Sequence, residues 1–582
     1  MDLADSGDIT TTSVGPNDGG GLSDDTPSDL PDILDPPEVA FELIGDGNIP
    51  AIDGHIPAID DINDDINDNE VSEQSSAESS YSESDIDCLD DEDQIDNVLC
   101  EKLKTWALNN NCTRACVNEV LGIVGDLGCK VPKDKRTLLN TQRTVAQTPM
   151  GLGHYIYIGV ENRITKLLSY NDRVDSIVLF VNMDGLPLFK SSPINLWPIL
   201  IQFHIFKPIA VAFYCGKTKP PFTEFMNDFV VEMNHLIQNG FIFQNVHYHV
   251  SLFCLTSDSP ARSGIKGIIQ HTGYFSCERC CIKGDSVKGR IVFDRGQEGA
   301  NVARTDDAFR MDLYAIPDED GKRHQTNVSL LTNLPIKDIA IDPMHLIFLG
   351  VTRRLLYYLK GSFRKIKAGK LSAAYLNAIS TTLNEIRLPT EFARKARTLS
   401  ELDRWKATEL SSFLLYSGLV VLKPYLSSPA FKHFLSFSIA IRLPSEEDAT
   451  IRNRNIAAAR DLLAYFVNNS HLYYGETFCV YNVHNVVHLP DDVFHYRLPL
   501  MRFSCFQFEN HLQKIKRLVR GRNNPLSQIV KRCDELDGRY YLKKQIEVKY
   551  KPEGKDSWFL ASGLLIQLKR TVAQGEFFLR NL

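Results

Sequence analysis

The pattern of apolar and polar positions predicts a mixed α/β core in residues 151–285. Apolar runs of strand length recur through this region, and residues 222–242 instead carry apolar side chains at helical spacing. A helix between two strands is the usual crossover that leaves them parallel, so we expect the strand after this helix to lie parallel to the first strand of the core. The predicted strands are a leading strand at 155–160 and core strands at 175–183, 196–206, 208–214 and 246–255.

The order strand, strand, strand, helix, strand is the opening order of the ribonuclease-H-like fold. The sequence therefore predicts an α/β fold class, with a ribonuclease-H-like core, a large helical insertion and a disordered acidic tail in front. A long helix is expected at 506–521. The predicted organisation is an acidic tail (1–95), a small helical segment (96–150), the first part of the core (151–285), a mainly helical insertion (286–475), a completion of the core (476–535) and a β-rich cap (536–582).

The charge is distributed very unevenly. Residues 1–100 contain 29 of the 73 acidic residues and no Lys or Arg, which leaves 44 acids against all 64 basic residues in the remainder. The body therefore carries a formal charge of +20, although the whole chain carries −9. This asymmetry favours nucleic acid as a partner of the body, while an ordinary solvated basic surface is the alternative. The two helices expected at 97–130 fit either a DNA-reading helix-turn-helix or a packing and dimerisation unit.

Composition limits the cellular setting. The sequence has no apolar run long enough to cross a bilayer, and its acidic start is unlike a secretory or transit signal. The 13 cysteines are scattered over 582 residues, which favours reduced thiols over a disulfide scaffold. These features favour a cytoplasmic or nuclear protein with no membrane partner, and of the two we expect the nucleus.

Two aspartates close predicted strands of the core. Asp184 follows the strand at 175–183, and Asp258 follows the strand at 246–255. If these strands are parallel neighbours, both carboxylates emerge at one sheet edge, where they repel each other unless a cation such as Mg²⁺ binds them. Glu509 lies near the start of the late helix, from which it could reach the same ions. Taken singly, each acid is also explained as a cap or a solvated side chain.

A second set of residues has the spacing of a zinc site. Cys277 and Cys280 form a CxxC motif that is followed at once by Cys281, and His484 and His488 form an HxxxH motif. Two thiolates and two imidazoles make a closed tetrahedral set for structural Zn²⁺. The sequence leaves open whether Cys280 or Cys281 is the second thiolate. A redox-active CxxC and a pair of core histidines are the alternatives.

Several stretches together resemble a known family over about residues 150–535. The chain resembles the transposases of animal CACTA-type elements, the CACTA/Mirage/Chapaev group, and is similar in plan to Transib transposases and to the catalytic core of the V(D)J recombinase. The stretches are NMDGLPLFKSS (182–192), SDSPAR (257–262), GY (273–274) with CERC (277–280), IDPMH (341–345), LDRWKATE (402–409), VYNVH (480–484) and FEN (508–510).

The resemblance implies a DDE-type transposase with catalytic acids Asp184, Asp258 and Glu509. It implies Mg²⁺ or Mn²⁺ on these acids, Zn²⁺ on the CxxC and HxxxH motifs, and double-stranded DNA, both transposon ends and target, as the substrate. A homo-oligomer is expected. The alternative is a domesticated DNA-binding or scaffold protein without activity, and a more distant one is an unrelated zinc-stabilised interaction protein. The predicted DNA contacts are Lys514, Lys516, Arg517, Arg520, Arg522, Lys531 and Arg532, with Arg404 and Trp405 either holding a base or packing a helix.

Overall fold

The computed structural model describes most of the chain that follows the acidic tail. Residues 1–90 of the predicted tail and most of the predicted β-rich cap (536–582) lie outside the described residues. The described residues are 91–169, 176–204, 206–293, 302–314, 331, 334–362, 370–388, 392 and 394–536, with the backbone of 557–559 and 565–567.

Most of the described strands lie in the first half of the described residues, within or beside the region 151–285 in which apolar runs predict strands. The strands are β1 (Thr148–Met150), β2 (Gly153–Tyr157), β3 (Ile177–Met183), β4 (Leu186–Pro187), β5 (Asn195–Gln202), β6 (Ile209–Gly216), β7 (Phe241–Phe243), β8 (Val246–Tyr248), β9 (Val250–Ser257), β10 (Asp285–Val287), β11 (Arg290–Val292), β12 (Ile339–Ile341), β13 (Ser557–Phe559) and β14 (Leu565–Gln567).

Helices dominate from residue 344 onward. Short 3₁₀ and π-helical turns connect several of them. The helices are α1 (Asp91–Asn109), α2 (Arg114–Asp126), α3 (Lys135–Leu138), α4 (Val160–Leu168), α5 (Phe222–Asn239), α6 (Ser259–Lys266), α7 (Asp306–Arg310), α8 (Arg353–Lys360), α9 (Ala373–Glu385), α10 (Ala407–Ser412), α11 (Gly418–Leu422), α12 (Ser428–Arg442), α13 (Ala449–Tyr474), α14 (Tyr481–Asn485), α15 (Leu489–Tyr496), α16 (Phe506–Arg517) and α17 (Pro525–Glu535).

A mixed eight-stranded sheet forms the centre of the α/β part. Its strand order is β1-β2-β6-β5-β3-β9-β12, with β4 paired to β5. β9 runs parallel to both β3 and β12, whereas β5 runs antiparallel to β3 and β6. The prediction that the strand after the long helix α5 lies parallel to the first strand of the core is confirmed by the parallel pairing of β9 with β3.

Both faces of the sheet are covered by helices. On one face α4, α5 and α6 bury the inward side chains of β3, β5 and β6. On the other face the apolar sides of α16 and α17 pack on β5 and β6. Every residue of β6 is buried, as expected for a strand covered on both sides. The architecture is thus a mixed α/β fold in three layers.

The helices that follow β12 build a second large core. Apolar residues from the π-helical turn Met344–Thr352 through α15 form one continuous buried cluster, which also takes in Cys254 of β9 and Phe506 of α16. The predicted helical insertion (286–475) is mainly helical from residue 344 onward where the structure describes it, whereas its earlier part carries the strands β10, β11 and β12. Because this cluster reaches both β9 and α16, the helical insertion determines where α16 begins relative to the sheet.

A small helical unit precedes the sheet. α1, α2 and α3 enclose a separate core that contains Ala107, Val117 and Leu121. It is joined to the body by Arg520, whose guanidinium donates to the backbone carbonyl of Asn111 at 3.1 Å. The two helices expected between residues 97 and 130 are therefore present, although α1 starts earlier, at Asp91. At the other end β13 and β14 form a short antiparallel pair.

Candidate metal centres

The two predicted catalytic aspartates leave the sheet side by side. In the parallel register of β3 and β9, Asn182 is paired with Thr256. Asp184 and Asp258 each lie two residues beyond this pair. Both therefore emerge at the carboxyl edge of the sheet, where open α/β sheets place their sites.

The chain breaks its strand pairing at Asp184. β3 is paired with β5 as far as Met183, and the pairing resumes in β4 at Leu186, so Asp184 and Gly185 lie outside the ladder. Gly185 lies against the indole of Trp197, where a Cβ atom would come within 2.5 Å of the ring. Only glycine fits this position, and its amide donates to Asp184 Oδ1 at 2.6 Å.

Asp258 has a structural task at the start of α6. Its Oδ1 accepts a hydrogen bond from the amide of Ala261 at 2.8 Å, which makes it the N-cap of the helix. Such a cap stabilises a helix by about 1 kcal/mol. The cap explanation and the metal-ligand explanation are compatible, because the cap uses one of the two carboxylate oxygens.

Glu509 comes from a distant part of the chain, on the first turn of α16. Phe506 packs into the core of the helical insertion, and Phe508 packs between α16 and the sheet. The fully buried carboxylate of Asp342 holds the helix start, because its Oδ1 accepts the amide hydrogen of Cys505 at 2.8 Å. These contacts hold the first turn of α16 at the sheet edge.

Glu509 lies next to Asp184, and a histidine joins them. Asp184, His345 and Glu509 each offer one ligand atom, and these atoms lie within 4.8 Å of one another. His345 Nε2 is 3.7 Å from Glu509 Oε1. Asp258 is not a member of this close group. We call Asp184, His345 and Glu509 the acidic cluster. It is closed at Asp184, which is 9% exposed, and open at Glu509, whose side chain is 32% exposed.

The electrostatics of the acidic cluster favour a bound cation. Burial raises the pKa of Asp184 well above its ordinary value, and the negative charges of Asp258 and Glu509 raise it further. The charge of His345 acts in the opposite direction. A buried carboxyl group whose pKa is raised in this way is stabilised in its charged form by a divalent ion, and carboxylate oxygens are the donors that Mg²⁺ and Mn²⁺ prefer.

His345 is oriented by Asp342. Its ring Nδ1 and its backbone amide both bond to Asp342 Oδ2, at 2.6 and 2.9 Å. Burial by itself lowers the pKa of His345, but the hydrogen bond to Asp342 and the charges of Asp342, Asp184 and Glu509 outweigh it. The pKa of His345 is therefore raised to about 9. The imidazole ring is thus held with Nε2 toward the acidic cluster.

The predicted zinc ligands form a second, closed group. Cys277, Cys280, His484 and His488 offer four ligand atoms within 4.8 Å of one another, which we call the Cys₂His₂ centre. Cys277 Sγ lies 3.4 Å from Cys280 Sγ and 3.3 Å from His488 Nε2. His484 Nε2 lies 3.4 Å from both Cys280 Sγ and His488 Nε2.

These separations fit one tetrahedral ion. With Zn–S near 2.3 Å and Zn–N near 2.0–2.1 Å, the edges of the tetrahedron are roughly 3.3–3.8 Å long. The structure also settles the choice left open by the sequence. Cys280 belongs to the group, whereas Cys281 does not, and its amide instead bonds to the carbonyl of Val302 at 2.8 Å.

A buried salt-bridge network links the Cys₂His₂ centre to the strand that precedes Asp258. Glu278, between the two cysteines, accepts from Arg262 at 2.9 Å and from Lys266 at 2.5 Å, both on α6. The same carboxylate accepts from the hydroxyl of Tyr481 on the histidine-bearing helix. Arg262 also donates to the carbonyl of Ser257, the last residue of β9.

A second buried ion pair anchors the other side of the CxxC turn. Arg279 makes a two-pronged contact with Asp492 of α15, at 2.9 and 3.1 Å. Its guanidinium also donates to the carbonyl of Ile339, the first residue of β12, at 3.3 Å. Charged side chains on both sides of the turn thus attach the Cys₂His₂ centre to the sheet and to the helices around it.

Most of the predicted DNA-contacting cations follow Glu509 on α16 and in the segment after it. Lys514, Lys516 and Arg517 form the basic last turn of α16. Five of the predicted cations also make contacts within the protein. These contacts are Lys516 to the Pro187 carbonyl, Arg520 to Asn111, Arg522 to Ser191 Oγ, Lys531 to the Arg143 carbonyl and Arg532 to Glu535.

The interpretation of Trp405 as a DNA-contacting residue is wrong for this structure. Its side chain is 1% exposed, its ring packs against Phe413, and its indole N–H donates to the carbonyl of Thr398 at 3.2 Å. A ring that is buried on both faces cannot stack on a base. Arg404 remains exposed, 3.8 Å from Glu401, so its role stays a prediction.

Sequence reasoning missed the roles of Asp342, His345, Arg262 and Glu278. The first two lie within the IDPMH stretch, and their spacing of three residues directly after a short strand was an available signal. Arg262 and Glu278 gave no such signal, since charged residues are ordinarily exposed. Their burial follows from pairing across 16 positions of sequence.

Comparisons with known proteins leave these centres without an assigned role. No model of a known protein family matches the chain, and no curated protein matches it either. Across the described ranges, no helix combines the length and the apolar character needed to span a bilayer. The function is therefore argued from the chemistry of the two centres.

Proposed function

We propose that the chain is a DDE-type DNA transposase that cleaves and joins phosphodiesters with divalent metal ions, on a ribonuclease-H-like core. The observation that carries the proposal is the contact between the two ends of the core. Asp184 directly follows β3, and the carboxylate of Glu509, which lies more than 300 residues later, belongs to the same cluster. Asp258 follows the neighbouring parallel strand. The order of three strands, a helix and a parallel fourth strand supports the choice of fold.

The acidic cluster has the donor set that phosphoryl transfer requires. Asp184 and Glu509, with Asp258 beside them, would hold divalent ions, Mg²⁺ or Mn²⁺, at the sheet edge. Such ions, when bound, activate the attacking oxygen and stabilise the leaving oxygen of a phosphodiester. In the proposed reaction, water attacks a phosphodiester at the end of the element and frees a 3′-hydroxyl. That hydroxyl then attacks a phosphodiester of the target DNA in line.

The Cys₂His₂ centre lies where it can connect the segments that carry Asp258 and Glu509. It would hold Zn²⁺, which needs a closed, buried tetrahedral set for a structural role. Through Glu278 and Arg262 it is linked to the residue that precedes Asp258, and its histidines precede the helix of Glu509. The zinc ion would therefore help to hold two distant parts of the catalytic site together.

Basic residues beyond Glu509 suit a DNA backbone. Lys514 and Arg517 follow Glu509 by five and eight residues on α16, which places them roughly 8 and 12 Å along the helix axis. A strand with one phosphate at the acidic cluster would bring neighbouring phosphates near these cations. Such contacts position DNA but read no sequence. Nuclear location and assembly as a homo-oligomer on paired DNA ends belong to the same proposal.

The test is cleavage of DNA that carries the inverted repeats flanking the coding region. The zinc-loaded full chain is incubated with Mg²⁺ or Mn²⁺, and new 3′-hydroxyl ends and joined products are measured. We expect both products with the native chain and neither with Asp258→Asn or Glu509→Gln. Glu401→Gln, which changes an exposed acid paired only loosely with Arg404, is the matched control and should retain activity.

The alternative is a domesticated DNA-binding scaffold without catalysis. One observation favours it: Asp258 uses a carboxylate oxygen to cap α6 and is not in the close group of ligand atoms. Native protein that binds DNA but produces no cleavage with any flanking sequence and either ion would support the scaffold. Cleavage that persists in both acid variants would exclude a DDE mechanism.

A further inference from the structure

The acidic cluster contains a nitrogen donor that the three-carboxylate scheme does not use. His345 Nε2 lies 3.7 Å from Glu509 Oε1, and one ring nitrogen of His345 lies within 4.8 Å of a carboxylate oxygen of Asp184. Ligand atoms of one octahedral ion with bonds near 2.2 Å lie about 3 Å apart when adjacent and about 4.4 Å apart when opposite. The three atoms therefore already have nearly the spacing of one coordination sphere.

The orientation of the imidazole ring is that of a metal ligand. Nδ1 is bonded to Asp342 Oδ2 at 2.6 Å, which leaves Nε2 facing Asp184 and Glu509. Histidines that bind metals almost always give their other ring nitrogen to a carboxylate or a carbonyl, because that bond holds the ring and increases its basicity. Asp342 is suited to this task because it is completely buried.

The ion would lie on the Asp184 side of the ring rather than beside Asp342. Both oxygens of Asp342 already accept hydrogen bonds from protein groups. Oδ1 accepts the amides of Met344 and Cys505, at 3.1 and 2.8 Å, and Oδ2 accepts the amide and the ring of His345. Asp342 is therefore an orienting residue, although it, His345 and Cys505 also lie close enough together to be considered as a ligand group.

We propose that His345 Nε2 is a direct ligand of the divalent ion bound by Asp184 and Glu509, with Asp342 orienting it. The inference rests on the proposed function insofar as that function places a divalent ion on these carboxylates. It adds a consequence for the identity of the ion. An imidazole ligand favours a transition ion such as Mn²⁺ over Mg²⁺, which strongly prefers oxygen ligands.

The experiment is pulsed electron paramagnetic resonance of Mn²⁺ bound to the zinc-loaded full chain. Direct ligation by an imidazole gives the Mn²⁺ signal a modulation from the ¹⁴N nucleus. We expect this modulation in the native protein and its loss in His345→Asn. We also expect Mn²⁺ affinity to fall at least the roughly 10- to 100-fold that loss of an outer orienting partner causes, with a smaller change for Mg²⁺.

His495→Gln is the matched control. His495 also pairs with an aspartate, through a 2.6 Å contact between Nε2 and Asp338 Oδ1, but it is not part of the acidic cluster. This variant should keep both the modulation and the affinity. Thermal unfolding and zinc content verify that each variant folds. If His345→Asn does not fold, the spectrum of the native protein still decides the question.

The outcomes separate the inference from the proposed function. Native protein that binds Mn²⁺ without ¹⁴N modulation overturns the inference and leaves the carboxylate site intact. His345 would then be only a positively charged partner of Asp184 and Glu509. Native protein that binds neither Mn²⁺ nor Mg²⁺, with or without DNA, overturns the proposed function as well.

Discussion

The Cys₂His₂ centre and the acidic cluster are both built from residues far apart in sequence, yet they differ in burial and in balance of charge. The first is closed, with three ligands buried and the fourth, His488, half-buried. Its neighbouring charges, Glu278 and Arg279, are each paired within the protein. The second is open at Glu509 and holds an excess of carboxylates. Closed sets suit structural ions, and open sets leave positions for a substrate.

The comparison separates a centre that should control folding stability from one that should control ion binding. At the Cys₂His₂ centre every donor is directed inward, so removal of an ion leaves buried groups unsatisfied. At the acidic cluster the charge of His345 offsets the charges of Asp184 and Glu509, and a bound cation would offset them further. Changes at the first centre should therefore alter folding, whereas changes at the second should alter ion binding and pH response.

Removal of a ligand from the Cys₂His₂ centre, where we propose zinc, should have the largest effect. Cys277→Ser, or the double variant with His484→Ala, should lose zinc and fail to unfold cooperatively. Structural zinc sites contribute on the order of 10 kcal/mol, which is comparable to the whole stability of a typical domain. Zinc content and thermal unfolding measure this. Cys281→Ser should keep the zinc, because Cys281 is outside the ligand set. Full zinc retention in Cys277→Ser would contradict the assignment.

Breaking the network beside the Cys₂His₂ centre should have the next largest effect. Glu278→Gln leaves Arg262 and Lys266 as buried charges without a counter-charge, which should cost about 3–5 kcal/mol in the free energy of unfolding. Urea unfolding of the zinc-loaded protein measures the change. Glu476→Gln breaks the exposed pair with Lys288 and should cost less than about 1 kcal/mol. If both variants lose the same free energy of unfolding, burial does not determine how much an ion pair contributes to stability.

The pH response of the acidic cluster should be smaller. The pKa of His345 is raised to about 9, so protonation of its ring stabilises the fold. That stability is fully present below the unfolded pKa near 6.5 and is lost as the pH rises through about 9. The total loss should reach about 3 kcal/mol in protein without Mg²⁺ or Mn²⁺. Deprotonation of Asp184, whose pKa is also raised, acts in the same direction.

Unfolding measured between pH 6 and pH 10, with zinc retained, checks this prediction. His345→Asn should flatten the decline, whereas His495→Gln should leave it nearly unchanged. If the free energy of unfolding of the native protein stays level or rises with pH, His345 does not provide the offsetting charge.

The smallest expected effect concerns the open side of the acidic cluster. Lys514→Gln with Arg517→Gln removes two exposed or half-exposed cations of α16. The slope of log affinity for DNA against log salt should decrease in magnitude by about 0.9 for each lost phosphate contact. Lys288→Gln, which changes a distant cation in the chain that is already paired, should leave the slope unchanged. An unchanged slope in the double variant would mean that Lys514 and Arg517 do not contact DNA phosphates.

Local patterns were sufficient to predict several parts of the molecule correctly. Apolar runs of strand length located β3 and β9, helical spacing located α5, and the crossover rule predicted that β3 and β9 are parallel. The CxxC and HxxxH motifs named four residues that the structure brings together. These features depend on side chains within one turn or one strand, so the sequence displays them directly.

Tertiary packing decided the rest. The exclusion of Cys281, the burial of Trp405 and the orientation of His345 by Asp342 each depend on contacts that no local pattern encodes. The pairing of Arg262 with Glu278 could not be predicted, because a buried charge is stable only once its partner is in place. The sequence alone thus determined which elements and donor residues exist. The three-dimensional structure decided which donors meet, because their free energies depend on burial and on neighbours hundreds of residues away.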